Sequence, residues 1–160
     1  GKTTIDASAK LPNSGSAAIK SEGNIFDITF TGNLSIKNMD VTLLKPYMKG
    51  DVKVKKGRLD LDSKFSIDKG YVKAPSMLKL RNMDIETKGV LMGVSAPLVM
   101  DLIKKKDTIE VSFYVWGRWN NLQNNLKEAF KKKVFDELGR TITSPVEGVL
   151  KGIGGLLPVK

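Results

Sequence analysis

Residues 3 to 94 alternate apolar and polar side chains over most of their length, and this period of two constrains the fold more than any other feature. Ile25-Phe26-Asp27-Ile28-Thr29-Phe30 is one such run. Leu59, Leu61, Phe65 and Ile67 form another, with Asp60, Asp62, Lys64 and Ser66 between them. Successive side chains of a strand point to opposite sides, so these runs predict strands with one buried and one wet face. Gly15, Gly23, Gly32, Gly50, Gly57, Gly70 and Gly89 punctuate them. Short strands at that spacing predict an antiparallel meander with one face apolar throughout.

The pattern contains an internal echo. Leu34-Ser35-Ile36-Lys37-Asn38-Met39-Asp40-Val41 matches Leu78-Lys79-Leu80-Arg81-Asn82-Met83-Asp84-Ile85. The Asn-Met-Asp triplet interrupts strict alternation in both copies, which predicts a bulge or bend at the same point of each unit. Asp40 and Asp84 are expected to hydrogen-bond locally at a turn. Repeated strand units that stack give an extended sheet rather than a closed globule.

Near residue 95 the period changes. Ser95-Ala96-Pro97, then Leu98, Val99, Leu102 and Ile103, predict a short helix with proline in its first turn. Lys104-Lys105-Lys106 sit at its negative end. Thr108 to Trp119 reads as a strand, with Ile109, Val111, Phe113 and Val115 on one face. From Leu122 to Leu138 the spacing is helical and Gly139 is a natural stop. Ser144-Pro145-Val146-Glu147 carries the capping signature of a further helix. The predicted fold is therefore mainly β with C-terminal α-helices. It divides into a strand segment over 1–94 with its internal repeat (34–41 and 78–85), a helix plus long strand over 95–119, and a helical cap over 120–160.

Composition narrows the chemistry. Among 160 residues there is no cysteine and no histidine, which removes the best nucleophile, the commonest general base and the commonest metal ligand. No catalytic residue, metal site or cofactor is expected. Gly1-Lys2-Thr3-Thr4 resembles the end of a phosphate-binding loop, but the upstream glycine is missing and a strand follows. The net charge of +10 favours anionic partners. Nucleic acid is not expected, because aromatic residues interleaved with basic ones occur on a single strand only. No stretch reaches the roughly 18 consecutive apolar residues of a membrane span. Beginning in mid-pattern, the chain reads as an excised segment, with any targeting or anchoring part expected upstream. Lys127, Lys131, Lys132 and Lys133 accompany the apolar stripe of the 122–138 helix. That helix is expected either to cap an open sheet or to touch an anionic membrane.

Three stretches carry a resemblance to a known family. They are Lys45-Pro46-Tyr47-Met48 followed by Val54-Lys55-Lys56-Gly57-Arg58-Leu59-Asp60-Leu61, then Ala96-Pro97-Leu98-Val99-Met100-Asp101-Leu102-Ile103-Lys104 leading into the Ile109–Gly117 strand, and the tail from Ser144-Pro145 to Gly154-Gly155. Their order resembles the carboxy-terminal portion of the AsmA-like superfamily. The resemblance implies an extended, twisted, taco-like antiparallel β-groove ended by short helices. It also implies a place in the periplasm and envelope of a diderm bacterium, in a parent chain anchored in the inner membrane. The expected partners are phospholipid acyl chains, other segments of the same parent chain and a membrane surface.

The function expected on this basis is non-enzymatic conduction of phospholipid along the groove between inner and outer membranes. The expected lining comes from Ile28, Phe30, Leu34 and Ile36, then from Leu59, Leu61, Phe65 and Ile67. Leu78, Leu80, Val111 and Phe113 complete it. The alternative is a structural or interaction module of the envelope whose apolar face is covered by protein.

Overall fold

The computed structural model describes residues 1–48 and 53–139. Strands dominate it. In chain order they are β1 (Thr3–Leu11), β2 (Gly15–Asn24), β3 (Thr29–Asp40), β4 (Val54–Asp68) and β5 (Tyr71–Ile85). A two-stranded hairpin, β6 (Val90–Leu91) and β7 (Val94–Ser95), leads into helix α1 (Ala96–Lys105). Then come β8 (Thr108–Arg118), β9 (Asn121–Asn124) and helix α2 (Leu126–Glu137). Seven strands form one antiparallel sheet in the order β1-β2-β3-β4-β5-β8-β9. Its first and last strands do not pair, so the sheet is open, as the internal repeat predicts, and antiparallel, as the alternation predicts.

Turn chemistry explains the short connections. Asp68 pairs with Tyr71, leaving Lys69-Gly70 as a two-residue loop with φ of 50° and 82°. Two successive positive φ values match the twist of a hairpin, and glycine accepts the second without steric cost. Between β2 and β3, Asn24 accepts the Phe26 N–H through Oδ1 at 2.9 Å. That local bond closes a turn over residues 25–28, where alternation predicts unbroken strand. Ile28 consequently lies in the turn, with φ of 53°, rather than on a strand.

The repeated Asn-Met-Asp triplet is irregular in both copies. The β3–β4 register shifts between Ile36 and Met39, and the β4–β5 register shifts between Lys56 and Arg58, opposite the second triplet. Asn38 and Asn82 have φ of 54° and 53°. Asparagine enters this left-handed region more readily than other residues with a Cβ. The two Asp residues differ: Asp40 accepts the Thr42 N–H and hydroxyl at the start of a 3-10 turn, whereas Asp84 lies in the ladder opposite Lys56.

The core lies between one face of the sheet and the two helices. Leu59, Leu78, Leu80, Ile109 and Val111 from the sheet join Ala96, Val99 and Leu102 of α1 and Phe130 and Val134 of α2 in one buried cluster. In α1 the spacing of those three residues makes one apolar stripe, Pro97 occupies the first turn, and Lys104 and Lys105 occupy the last. Helix α2 is shorter than predicted. Residues 121–124 pair with β8 as β9, and Leu122 is exposed, so its helical spacing to Leu126 has no structural counterpart. The buried Asn125 ends this hairpin: the Tyr114 N–H donates to its Oδ1 at 2.7 Å, and its own N–H donates to Tyr114 O at 3.2 Å. Gly139, with φ of 68°, follows the helix as predicted. The helix predicted from Ser144 onward lies outside the described residues.

Candidate functional site

Register assigns the apolar side chains to one face across the whole sheet. Ile19 faces Leu34, Ile36 faces Leu61, Leu61 faces Leu78 and Leu78 faces Val111. A second row runs through Phe30, Ile67 and Val72. The face has two halves. Toward the β7–α1 end the helices cover it. Toward the turns at 25–28, 69–70 and 119–120 it carries Ile19, Phe30, Leu34, Phe65 and Ile67, all half-buried and all outside the helix-covered cluster.

The boundary between the halves is polar. Ser76 donates to Ser63 across the β4–β5 pair at 2.9 Å, and both are buried. Pro75, beside Ser76 in the middle of the sheet, has no N–H to give to a ladder. Beyond the boundary, two rings lie over glycines of the neighbouring strand. A Cβ at Gly32 would sit 2.6 Å from Phe65 Cζ, and one at Gly23 would sit 2.8 Å from Phe30 Cδ1. The rings thereby cover backbone that glycine leaves bare, and the bare half becomes a low apolar surface. Val72 and Ala74 belong to it as well. Both are buried and lie outside the helix-covered cluster.

The predicted lining residues therefore separate into three groups. Leu59, Leu78, Leu80, Val111 and Phe113 are core, sealed against the helices, while Ile36 and Leu61 pack on the edge of that core. For the five core residues, the expectation of an open groove gives way to burial, and Ile36 and Leu61 are partly buried. Phe30, Leu34, Phe65 and Ile67 lie on the bare half. Ile28 lies in the turn. Alternation alone finds the shared face. It cannot find the covering, which depends on where α1 and α2 land.

The opposite face is polar and pinned at the first bulge. Asp60 accepts the Asn38 N–H at 2.7 Å and takes a two-pronged contact from Arg81, at 2.9 Å from Nε and 3.1 Å from Nη2. Partial burial pushes the Asp60 carboxyl up, but the Arg81 guanidinium and the Asn38 N–H outweigh it and hold the group below the ordinary carboxylate range. Beside this pair, Lys79 and Glu110 approach to 3.5 Å across β5 and β8. A shallow depression lined by Lys37, Asp60, Lys79, Arg81 and Glu110 is thus largely charge-compensated.

Two of the four lysines of α2 have partners on the same helix. Lys132 lies 2.9 Å from Asp136 and Lys133 lies 3.1 Å from Glu137. Glu137 also meets Lys106 at 2.9 Å, and the bonds from Lys106 and Lys133 hold its carboxyl below the ordinary range. With Lys105 donating to the Glu137 carbonyl, these contacts tie the C-terminus of α1 to that of α2. Lys127 is exposed and Lys131 half-buried.

Among the described residues no cluster of three or more side chains could hold a metal ion, and no helix is long and apolar enough to cross a membrane. Comparison with family models, with curated proteins and with solved structures gave no match to the chain.

Proposed function

We propose that this chain is a non-catalytic segment of a bacterial envelope protein of the AsmA-like kind, and that it holds phospholipid acyl chains against the bare half of its sheet. The observation that carries the reading is that bare half: an apolar surface crossing several strands, continuous with the core but without helices over it. An acyl chain gains about 0.8 kcal/mol for each methylene it buries, without directional bonds. Successive rows of Leu, Ile, Val and Phe offer nearly equal contacts, so a chain moves along them against small barriers. Strands about 4.8 Å apart make the surface long enough for an extended acyl chain. In this reading the segment lies in the periplasm and passes lipid between the inner and outer membranes.

The test is extraction of the purified protein and mass spectrometry of the extract. Stoichiometric phospholipid is expected, and its absence sinks the proposal. Phe65→Asp should abolish photocrosslinking to lipid while far-ultraviolet circular dichroism stays strand-rich.

One observation favours a second reading. Helices α1 and α2 already cover half of the face with protein. A module whose other half is covered by a protein partner would purify free of lipid as a monodisperse oligomer.

A further inference from the structure

Three hairpin turns meet at the end of the sheet away from the helices, and backbone hydrogen bonds join them. The Gly70 N–H donates to Ile28 O at 3.0 Å, and the Trp119 N–H donates to Gly70 O at 2.8 Å. The Lys69 N–H adds a bond to Thr29 Oγ1 at 3.3 Å. The turns form one bonded rim rather than three separate loops.

This rim carries the largest exposed apolar side chains at that end. Phe26 is 88% exposed, Ile25 60% and Trp119 56%. The Trp119 indole and the Arg118 guanidinium both lie against Gly70. The arrangement differs from a flat protein interface. Separate rings and aliphatic chains project from turn tips, with the cations Lys69 and Arg118 and the carboxylates Asp27 and Asp68 among them, so attraction to an anionic surface comes from the charge of the whole chain. Tryptophan and arginine at that position suit the boundary between headgroups and acyl chains, where an apolar body and a polar tip are both satisfied.

We infer that the rim formed by the 25–28, 69–70 and 119–120 turns docks on an anionic bilayer, with Phe26 and Trp119 inserted at the headgroup boundary. The net charge of +10 draws the chain to an anionic surface, and the exposed rings supply the short-range term. The docking end is thus opposite α2, whose Lys132 and Lys133 are engaged with Asp136 and Glu137. This inference does not depend on lipid in the trough: an empty trough docks equally well, and a filled one exists without docking.

The experiment measures binding of the whole chain to vesicles of phosphatidylglycerol and phosphatidylcholine in equal parts. Trp116→Phe makes Trp119 the sole tryptophan reporter. On vesicle addition Trp119 emission should shift to the blue and be quenched by shallow brominated lipid. The double variant Phe26→Ser, Trp119→Ser should lose about tenfold or more in partitioning. Both positions are exposed, so folding is expected to persist, and an unchanged circular dichroism spectrum verifies this. The inference is overturned if the wild-type chain ignores the vesicles, if Trp119 emission stays unchanged, or if the double variant binds as the wild type does. It is also overturned if Lys127→Glu with Lys131→Glu abolishes binding while the rim variant retains it. Lipid-free self-association that the rim variant removes would assign the rim to a second copy instead.

Discussion

The two halves of the apolar face are built from the same residue types on the same strands, yet they differ in what covers them. Leu80 and Ile109 are sealed beneath α1 and α2. Phe65 and Phe30, farther along the same face, lie over glycines and stay half-buried. What separates them is the covering: Leu80 and Ile109 belong to the cluster that includes α1 and α2, and Phe65 and Phe30 do not. Apolar patterning specifies a face that avoids water. It does not specify what shields that face.

The contrast can be broken first at the core. Phe130→Ala removes a fully buried ring from α2 and should cost about 3–5 kcal/mol in urea unfolding. Phe65→Ala, in the bare half, should cost about 1–2 kcal/mol, because its ring is already partly in water. Equal costs would mean that the bare half is closed core.

The next effect concerns the bulge that bends β3. Asn38→Val and Asn38→Gly both lose the Asn38 side-chain bonds to Ser14 O and from Arg81, and Asn38→Val, with a β-branched residue at φ of 54°, should cost about 1–2 kcal/mol more than Asn38→Gly. Thermal unfolding compares the two. If valine is tolerated as well as glycine, the left-handed geometry does not exist in solution.

A smaller effect distinguishes the polar face. Asp60→Asn removes the charge from the Arg81 contact while retaining an acceptor, and should cost about 1 kcal/mol or less at neutral pH, since both groups are partly exposed. The smallest effect is in acid. The folded pKa of Asp60 is depressed, so its stabilisation is present above the ordinary carboxylate range and is lost as pH falls through that range and below it. Between about pH 5 and pH 3 the wild type should therefore lose slightly more stability than Asp60→Asn. Parallel profiles would remove Asp60 from the account.

Much of the sheet was legible because alternation survives in one dimension. Leu59 to Ile67 and Ile109 to Val115 show their face directly, and each of the matching Asn-Met-Asp triplets marks a register shift. Two local features were not legible. Ile25 to Ile28 alternates like a strand, but the Asn24 side chain closes a turn there. Leu122 matches the helical stripe, yet the hairpin that Asn125 ends keeps it in β9. In both places an asparagine side chain bonded to backbone outweighs the hydrophobic period. The division of the face lay beyond reach for a different reason: Phe130 and Leu80 are far apart in sequence, and only packing brings them together.

The two margins of the sheet are unequal, and this gives the molecule a direction. On one side β9 is four residues long and runs straight into α2. On the other, β1 presents nine residues whose outward carbonyls and amides meet no further strand among the described residues. An incoming strand finds a nine-residue template there, whereas at the opposite margin β9 occupies only Val115–Arg118 of β8. A strand added at β1 would widen the apolar face away from the helices.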